Sequence, residues 1–301
     1  MRYIALLVTF SVLLANGCAG TPTQDPGTLT ELSVQKTQDA TRSHAGSEIT
    51  VATLNVAHGR GDSLNQLLVS REDTLTNLAA IGNFLQQHEV DVAALQEADA
   101  PSWWSGNIEH TAHIAEHGGF AYWAQASHAS LGVADYGTAL LSKVPVKVAA
   151  SLNFSPSPPT AQKGFTVAEL HWQQEDGSEV VLDVVSIHMD FSRKSVRQQQ
   201  LAELDQALQR RLNPLILMGD FNSETLAAQL MQSAADNRRR LHTISPAGLD
   251  LSTYKDKRLD WIIISGDLEF VDYRTETTVL SDHHAVIATV TLKKQQPGID
   301  P

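Results

Sequence analysis

Leu215-Ile216-Leu217-Met218-Gly219-Asp220-Phe221-Asn222 is the stretch that decides how the rest of the chain is read. Four apolar residues after Pro214 have the length and bounding of a short buried strand. The apolar run stops at a glycine, and a carboxylate and a carboxamide follow two positions apart. Ser223 with Glu224 behind it is a helix N-cap signal. Asp220 and Asn222 are thereby placed at the carboxyl end of a buried strand, where open α/β sheets hold their sites. Alternate residues of an extended backbone face one way, so both side chains are expected to enter one cleft. A polar strand-to-helix turn without any chemistry can carry the same residues, so the reading turns on what recurs elsewhere.

Working outward, Ile49 to Leu54 is a β-branched strand that ends at Asn55, and Val90 to Leu95 is a second that ends at Gln96-Glu97. Between them Leu75, Leu78, Ile81 and Leu85 predict an amphipathic helix over 72–88. A helix is expected over 107–117, then strands at 120–126, 137–142, 144–149, 164–172 and 179–187. Leu201, Leu204, Leu208 and Leu212 mark a second long helix over 193–211. A helix near 224–234 and strands at 259–265, 268–275 and 284–292 complete the body. Many strand connections are too short for crossover helices. The expected fold class is therefore α/β (α+β), with two mixed β-sheets packed face to face and helices outside.

The chain has 301 residues, 42% hydrophobic and 19% charged, with a formal net charge of −12. That balance is ordinary for a globular body, and it excludes a broad electrostatic grip on DNA or RNA. Residues 1–18 have the layout of a secretory signal: Arg2, an apolar run from Ile4 to Leu14, then Ala15-Asn16-Gly17-Cys18. Cys18, the single cysteine, stands where a bacterial lipobox places its lipidated residue. Lipidation at Cys18 would anchor the protein to a membrane on the non-cytoplasmic side of a bacterial cell envelope; plain secretion is the alternative. The mature body then has no thiol for a disulfide or a thiolate nucleophile. Residues 19–47 read as a flexible tether, 48–294 as one catalytic domain and 295–301 as a tail.

Polar residues recur at the strand edges. His188 ends Val184-Val185-Ser186-Ile187, Asp260 opens Trp261-Ile262-Ile263-Ile264, and Asp282-His283 precede Ala285-Val286-Ile287. One such residue is more often a hydrogen-bonded structural group. Recurrence at strand after strand points to a shared cleft. In order and wording, Thr53-Leu54-Asn55-Val56, Leu95-Gln96-Glu97, Gly137 to Lys143, Ser186-Ile187-His188-Met189, Gly219-Asp220-Phe221-Asn222, Arg258-Leu259-Asp260-Trp261 and Ser281-Asp282-His283 resemble the endonuclease/exonuclease/phosphatase superfamily. Its members include DNase I-like nucleases, bacterial sphingomyelinases and inositol polyphosphate 5-phosphatases.

The resemblance implies a four-layer αββα sandwich and a Mg²⁺-dependent phosphoester hydrolase, with Mn²⁺ as a substitute. It implies Glu97 as the main metal ligand, with Asn55 and Asp282 close by. Asp220 and Asn222 would orient the attacking water and phosphoryl oxygens. His188 would stand opposite as acid or phosphate contact, and Asp260 would hold His283 as general base or phosphate-contacting acid. This suits phosphoester chemistry on its own terms, since a carboxylate-held hard cation neutralises charge and an Asp–His pair supplies a poised imidazole. Ala57 stands where apurinic-site endonucleases carry Asp, and His188 where they carry Tyr, which moves the reading towards the nuclease, sphingomyelinase and phosphatase branches. His58, Arg60, Arg193 and Arg197 are candidate substrate contacts beside the motifs. His110, His113 and His117 share one helix face, read as a solvated polar face with a second metal site as the alternative. The expected substrate is a small or lipid-linked phosphoester, with long nucleic acid disfavoured, and the protein is expected to be a monomer. A secreted or periplasmic DNase I-like endonuclease and a silent binding module are the competing readings.

Overall fold

The computed structural model describes residues 28–37, 45–130, 132–236, 240–245 and 248–293. The signal segment with Cys18 and the tail 295–301 lie outside the described residues. No described helix is long and apolar enough to cross a membrane.

Strands β1 (Thr30–Leu32), β2 (Gln35–Lys36) and β3 (Glu48–Asn55) lead into helix α1 (Arg71–Gln87), strand β4 (Val92–Asp99) and helix α2 (His110–Gly118). Then follow β5 (Tyr122–Ser130), β6 (Asp135–Ser142), β7 (Val146–Asn153), β8 (Gly164–Gln173), β9 (Glu179–His188) and α3 (Lys194–Leu208). The chain closes with β10 (Leu215–Asp220), α4 (Leu226–Asp236), β11 (Leu241–His242), β12 (Asp260–Ser265), β13 (Leu268–Glu276) and β14 (Ala285–Leu292). One seven-stranded sheet runs β1-β7-β8-β9-β10-β12-β11, the other β13-β14-β3-β4-β6-β5-β2. Both are mixed, with β9–β10 and β3–β4 parallel.

Alternation along the strands builds the layers. Ile49, Val51, Val92, Ala94, Val184, Ile216, Met218, Ile262 and Val286 pack between the sheets. Their neighbours Ala52, Leu54, Ala93 and Leu95 face Leu78, Ile81 and Leu85 of α1 and Ile114 of α2. On the other side Val185, Ile187, Leu215, Leu217 and Ile263 face Leu201 and Leu204 of α3 and Leu226 of α4. This is the αββα sandwich expected from the sequence. Ser223 caps α4, accepting from the Leu226 amide at 3.3 Å.

The tether reading fails over 28–37. β1 pairs with β7 and β2 with β5, so this stretch extends both sheets at their edges. Leu29, Leu32 and Val34 drive it, because each packs against a buried apolar cluster. Three such residues in ten are enough for an edge strand, although they are too few to show as a periodic pattern. β11 is two residues long and has no period to read. His110 also departs from expectation: it is wholly buried, and its Nδ1 accepts from the Asp99 amide at 3.2 Å.

Candidate active site

The even positions that face the other sheet continue to the strand ends. In β9 Leu182 and Val184 give way to Ser186 and His188, in β10 Ile216 and Met218 to Asp220, and in β12 Ile264 and Ile262 to Asp260. Register sets these together: Asp220 is the Cα partner of His188 on one side and of Asp260 on the other. In β3 the inward series Ile49, Val51, Thr53 ends at Asn55. The candidate cleft is thus the polar terminus of the inter-sheet core. Below it lies a buried polar floor, where Gln96 Nε2 donates to Ser186 Oγ at 3.1 Å and Thr53 Oγ1 donates to Gln96 Oε1 at 3.3 Å.

Two residues reach the cleft by leaving the strand pattern. Parity would send Glu97 to the helix side with Ala93 and Leu95. A bulge between Gln96 and Ala98, with Glu97 at φ +53°, turns it inward. Asn222 is likewise not extended: its φ is +48°, and its amide donates to Asp220 Oδ1 at 2.8 Å. The expected alternation of Asp220 and Asn222 is therefore replaced by an Asx turn that brings Asn222 Nδ2 to Asp220 Oδ2 at 3.2 Å. Phe221 between them is fully buried under α3 and α4, so its loss would cost about 3–5 kcal/mol. Gly219, at φ +144°, runs against β9, and a Cβ there would stand 2.0 Å from the Ile187 carbonyl oxygen.

Asp220 is the centre. It accepts from Asn55 Nδ2 at 3.2 Å, and His188 Nε2 stands 3.5 Å from its Oδ2. Burial and then the neighbouring Asp260 charge push its carboxyl up to about 7. Asp260 accepts from His283 Nδ1 at 2.8 Å, and Thr253 Oγ1 accepts from the Asp260 amide. Burial disfavours the His283 cation, but the Asp260 charge and hydrogen bond outweigh it and raise His283 to about 10. Tyr254 covers the ring at 4.9 Å. Ser281 Oγ donates to the Asn55 carbonyl at 2.6 Å and accepts from the His283 amide, tying β3 to the His283 turn.

Glu97 lies across the cleft. Burial favours its neutral form, yet the charges of His58 and then Lys163 hold it ionised, at about 2. His58 Nε2 is 3.4 Å from Glu97 Oε2, and its Nδ1 is 2.6 Å from Asp99 Oδ1. Lys163 Nζ is 3.9 Å from Glu97 Oε1 and 3.2 Å from His188 Nε2. Burial and then the Lys163 charge hold His188 well below the usual imidazole range, so it is neutral. Asp260, Asp220 and His283 each offer a ligand atom within 4.8 Å of one another. The ionised Glu97 is an oxygen donor of the hard kind that a divalent cation takes, while Asn55 Oδ1 accepts from the Ala57 amide at 3.0 Å and Asp282 is paired with Arg60.

The remaining candidates are placed as follows. Arg60 pairs with Asp282 Oδ2 at 2.6 Å and donates to the Ser63 carbonyl, joining the loop after β3 to the turn before β14. Arg193 donates to the Pro158 and Ser157 carbonyls, and Arg197 to the Asp190 carbonyl at 2.9 Å. Both hold the 157–160 loop and the 190 turn in place through these bonds. Trp103 is 71% exposed, while Trp104 is half-buried and edge-on to His58. Lys163 and Asp99 went unread in the sequence. Lys163 stands at the start of β8, a strand edge like the others, but lysine neither holds a hard cation nor carries a neutral-pH proton.

A sequence profile of the Endonuclease/Exonuclease/phosphatase family matches residues 52–283. No curated protein sequence matches significantly. Among solved structures, an endonuclease/exonuclease/phosphatase from Beutenbergia cavernae is 15% identical with a TM-score of 0.60, over 82% of this chain and 72% of that one. A mannosyl-6-phosphatase from Bacteroides thetaiotaomicron is 14% identical with a TM-score of 0.57, over 81% and 100%. The human Nocturnin catalytic domain with bound sulfate is 14% identical with a TM-score of 0.53, over 87% and 98%. These likenesses carry the fold. With the profile spanning β3 to His283, the chain belongs to the Endonuclease/Exonuclease/phosphatase family.

Proposed function

We propose that the chain is a Mg²⁺-dependent phosphoester hydrolase, a phosphodiesterase acting on a small or lipid-linked substrate. The observation that carries this is the Asp220 environment. A buried carboxyl raised to about 7 can accept a proton from water near neutral pH. Asn55 and Asn222 fix its orientation, so a water it engages is held in one direction. His283, protonated and locked by Asp260, places a cation where a phosphoryl oxygen gathers charge. Lys163 and neutral His188 add a cation and a donor on the Glu97 side. A divalent ion held by Glu97, with Asn55 and Asp282, supplies Lewis-acid charge neutralisation when bound. No covalent intermediate is needed.

The test is turnover of a panel of phosphodiesters, phospholipids, inositol phosphates and plasmid DNA with Mg²⁺ and with chelator. Loss on chelation, recovery with Mg²⁺ or Mn²⁺, and loss on Asp220→Ala and His283→Ala are expected. Unchanged turnover under chelation would overturn the metal role. We also propose lipidation at Cys18 and envelope anchoring; Cys18→Ser should release the protein from the membrane fraction, and wild-type fractionation of that variant would refute it.

A further inference from the structure

His113, Glu116 and His117 of α2 each offer a ligand atom within 4.8 Å of the other two. They stand at i, i+3 and i+4, so one helix face presents all three. None belongs to the cleft. His113 and His117 are half-buried and Glu116 is exposed, which leaves the group open to an ion from solvent. The imidazole rings lie 4.4 Å apart between centroids, inclined at 50°.

The hydrogen bonds select the ring nitrogens. His113 Nε2 is 3.1 Å from the Leu75 carbonyl oxygen of α1, and His117 Nδ1 is 3.0 Å from the His113 carbonyl oxygen. Carbonyl oxygens only accept, so each of these nitrogens carries the proton. That leaves Nδ1 of His113 and Nε2 of His117 with free lone pairs. An imidazole whose second nitrogen donates to a backbone carbonyl is the usual arrangement of a metal-bound histidine. The backbone is also held: a Cβ on Gly82 would come within 2.6 Å of His117 Cβ, which shows how closely α2 lies on α1.

We propose that His113, Glu116 and His117 form a second cation site, separate from the catalytic cleft and selective for a borderline transition-metal ion, Zn²⁺ or Cu²⁺. Two imidazole nitrogens and one carboxylate oxygen suit these ions, while Mg²⁺ and Ca²⁺ prefer oxygen alone. Solvent completes the coordination. The His113 bond to the Leu75 carbonyl of α1 fixes the ring that would carry the ion.

The experiment titrates Zn²⁺ into the full chain against a chromophoric chelator, with millimolar Mg²⁺ present to occupy the cleft. His117→Ala should weaken this binding by on the order of 100-fold, and the isosteric Glu116→Gln by about tenfold. Both variants should keep wild-type Mg²⁺-supported turnover. Cu²⁺ electron paramagnetic resonance should show nitrogen hyperfine coupling that His117→Ala diminishes. If His117→Ala fails to fold, Glu116→Gln decides. Equal Zn²⁺ stoichiometry and affinity in the wild type and Glu116→Gln would overturn the assignment of Glu116. The same result in His117→Ala would overturn the site.

Discussion

Asp220 and Asp260 are Cα partners across the antiparallel β10–β12 ladder, so the sheet buries two carboxylates side by side. They divide their labour by environment. Asp260 has the His283 cation at 2.8 Å, while Asp220 has amide donors and a neutral His188. Burial and then the Asp260 charge beside it push the Asp220 carboxyl up to about 7.

The pH–rate profile follows. With Asp220 as base, kcat/KM should rise as pH passes about 7 and fall as His283 loses its proton near about 10. Asp260→Asn removes the charge that holds His283 protonated, so the descending limb should move towards neutrality. A descending limb unmoved in Asp260→Asn would remove His283 from the profile.

Stability should show the cost of this arrangement. The folded-state pKa of Asp220 lies above its ordinary 3.8, so the folded chain holds a proton that the unfolded chain has released, and stability falls as pH rises from about 4 to about 7. Asp220→Asn abolishes that loss. Under chelation the variant should be more stable than wild type at pH 8, by on the order of a few kcal/mol, and equal to it near pH 4. His283 has the same sign over a higher window: its contribution is whole below 6.5 and is lost as pH climbs through about 10. Denaturant melts of both proteins at the two pH values check the sign.

Most of the sandwich was legible because its strands are apolar runs that end at Asn55, His188 or Asp220, and period is what a sequence displays. The cleft members at strand ends were legible for the same reason. What could not be read is geometry that breaks period. Glu97 enters the cleft through a bulge, and Asn222 through an Asx turn. The carbonyl contacts of Arg193 were equally illegible, because a charge beside a motif says nothing of carbonyls that fold back onto it. Lys163 was missed because only the tertiary structure brings the start of β8 against Glu97.

Lys163→Met should expose what that lysine does. Its charge lies 3.9 Å from Glu97 and holds down the His188 pKa. Removing it should lower kcat/KM by on the order of 10²-fold, since a buried cation beside Glu97 and His188 is lost. It should also raise the His188 pKa, which imidazole proton resonances report directly. An unmoved His188 titration with full activity would leave Lys163 a structural residue.

Asp99 acts through His58. The 2.6 Å contact between them orients the imidazole, and the other ring nitrogen faces Glu97. Asp99→Asn keeps the shape but weakens that orientation. The Mg²⁺ concentration for half-maximal activity should rise roughly 10–100-fold, with kcat at saturating Mg²⁺ little changed. A fall in kcat with no change in Mg²⁺ dependence would place His58 at the chemistry instead of behind the ligand.

Substrate size is the last expectation. A duplex bound along its backbone needs several free cations, and neutralising each phosphate contributes to a steep salt dependence. Here Arg60 is paired with Asp282, Arg193 and Arg197 are tied to carbonyls, and Lys163 is buried beside Glu97. The formal net charge is −12. Those cations can meet one or two phosphates at the cleft, while repulsion acts on whatever polyanion extends past it. A small ligand escapes that repulsion within a screening length of about 8–10 Å. Trp103 and Phe191, exposed by 71% and 64%, give the loops after β4 and β9 apolar surface suited to an acyl chain. With Mg²⁺ at physiological salt, kcat/KM should favour a small or lipid-linked phosphodiester, and plasmid nicking should be weak and fall further as salt rises. Efficient nicking beside inactivity on every lipid and inositol phosphoester would establish the nuclease reading in its place.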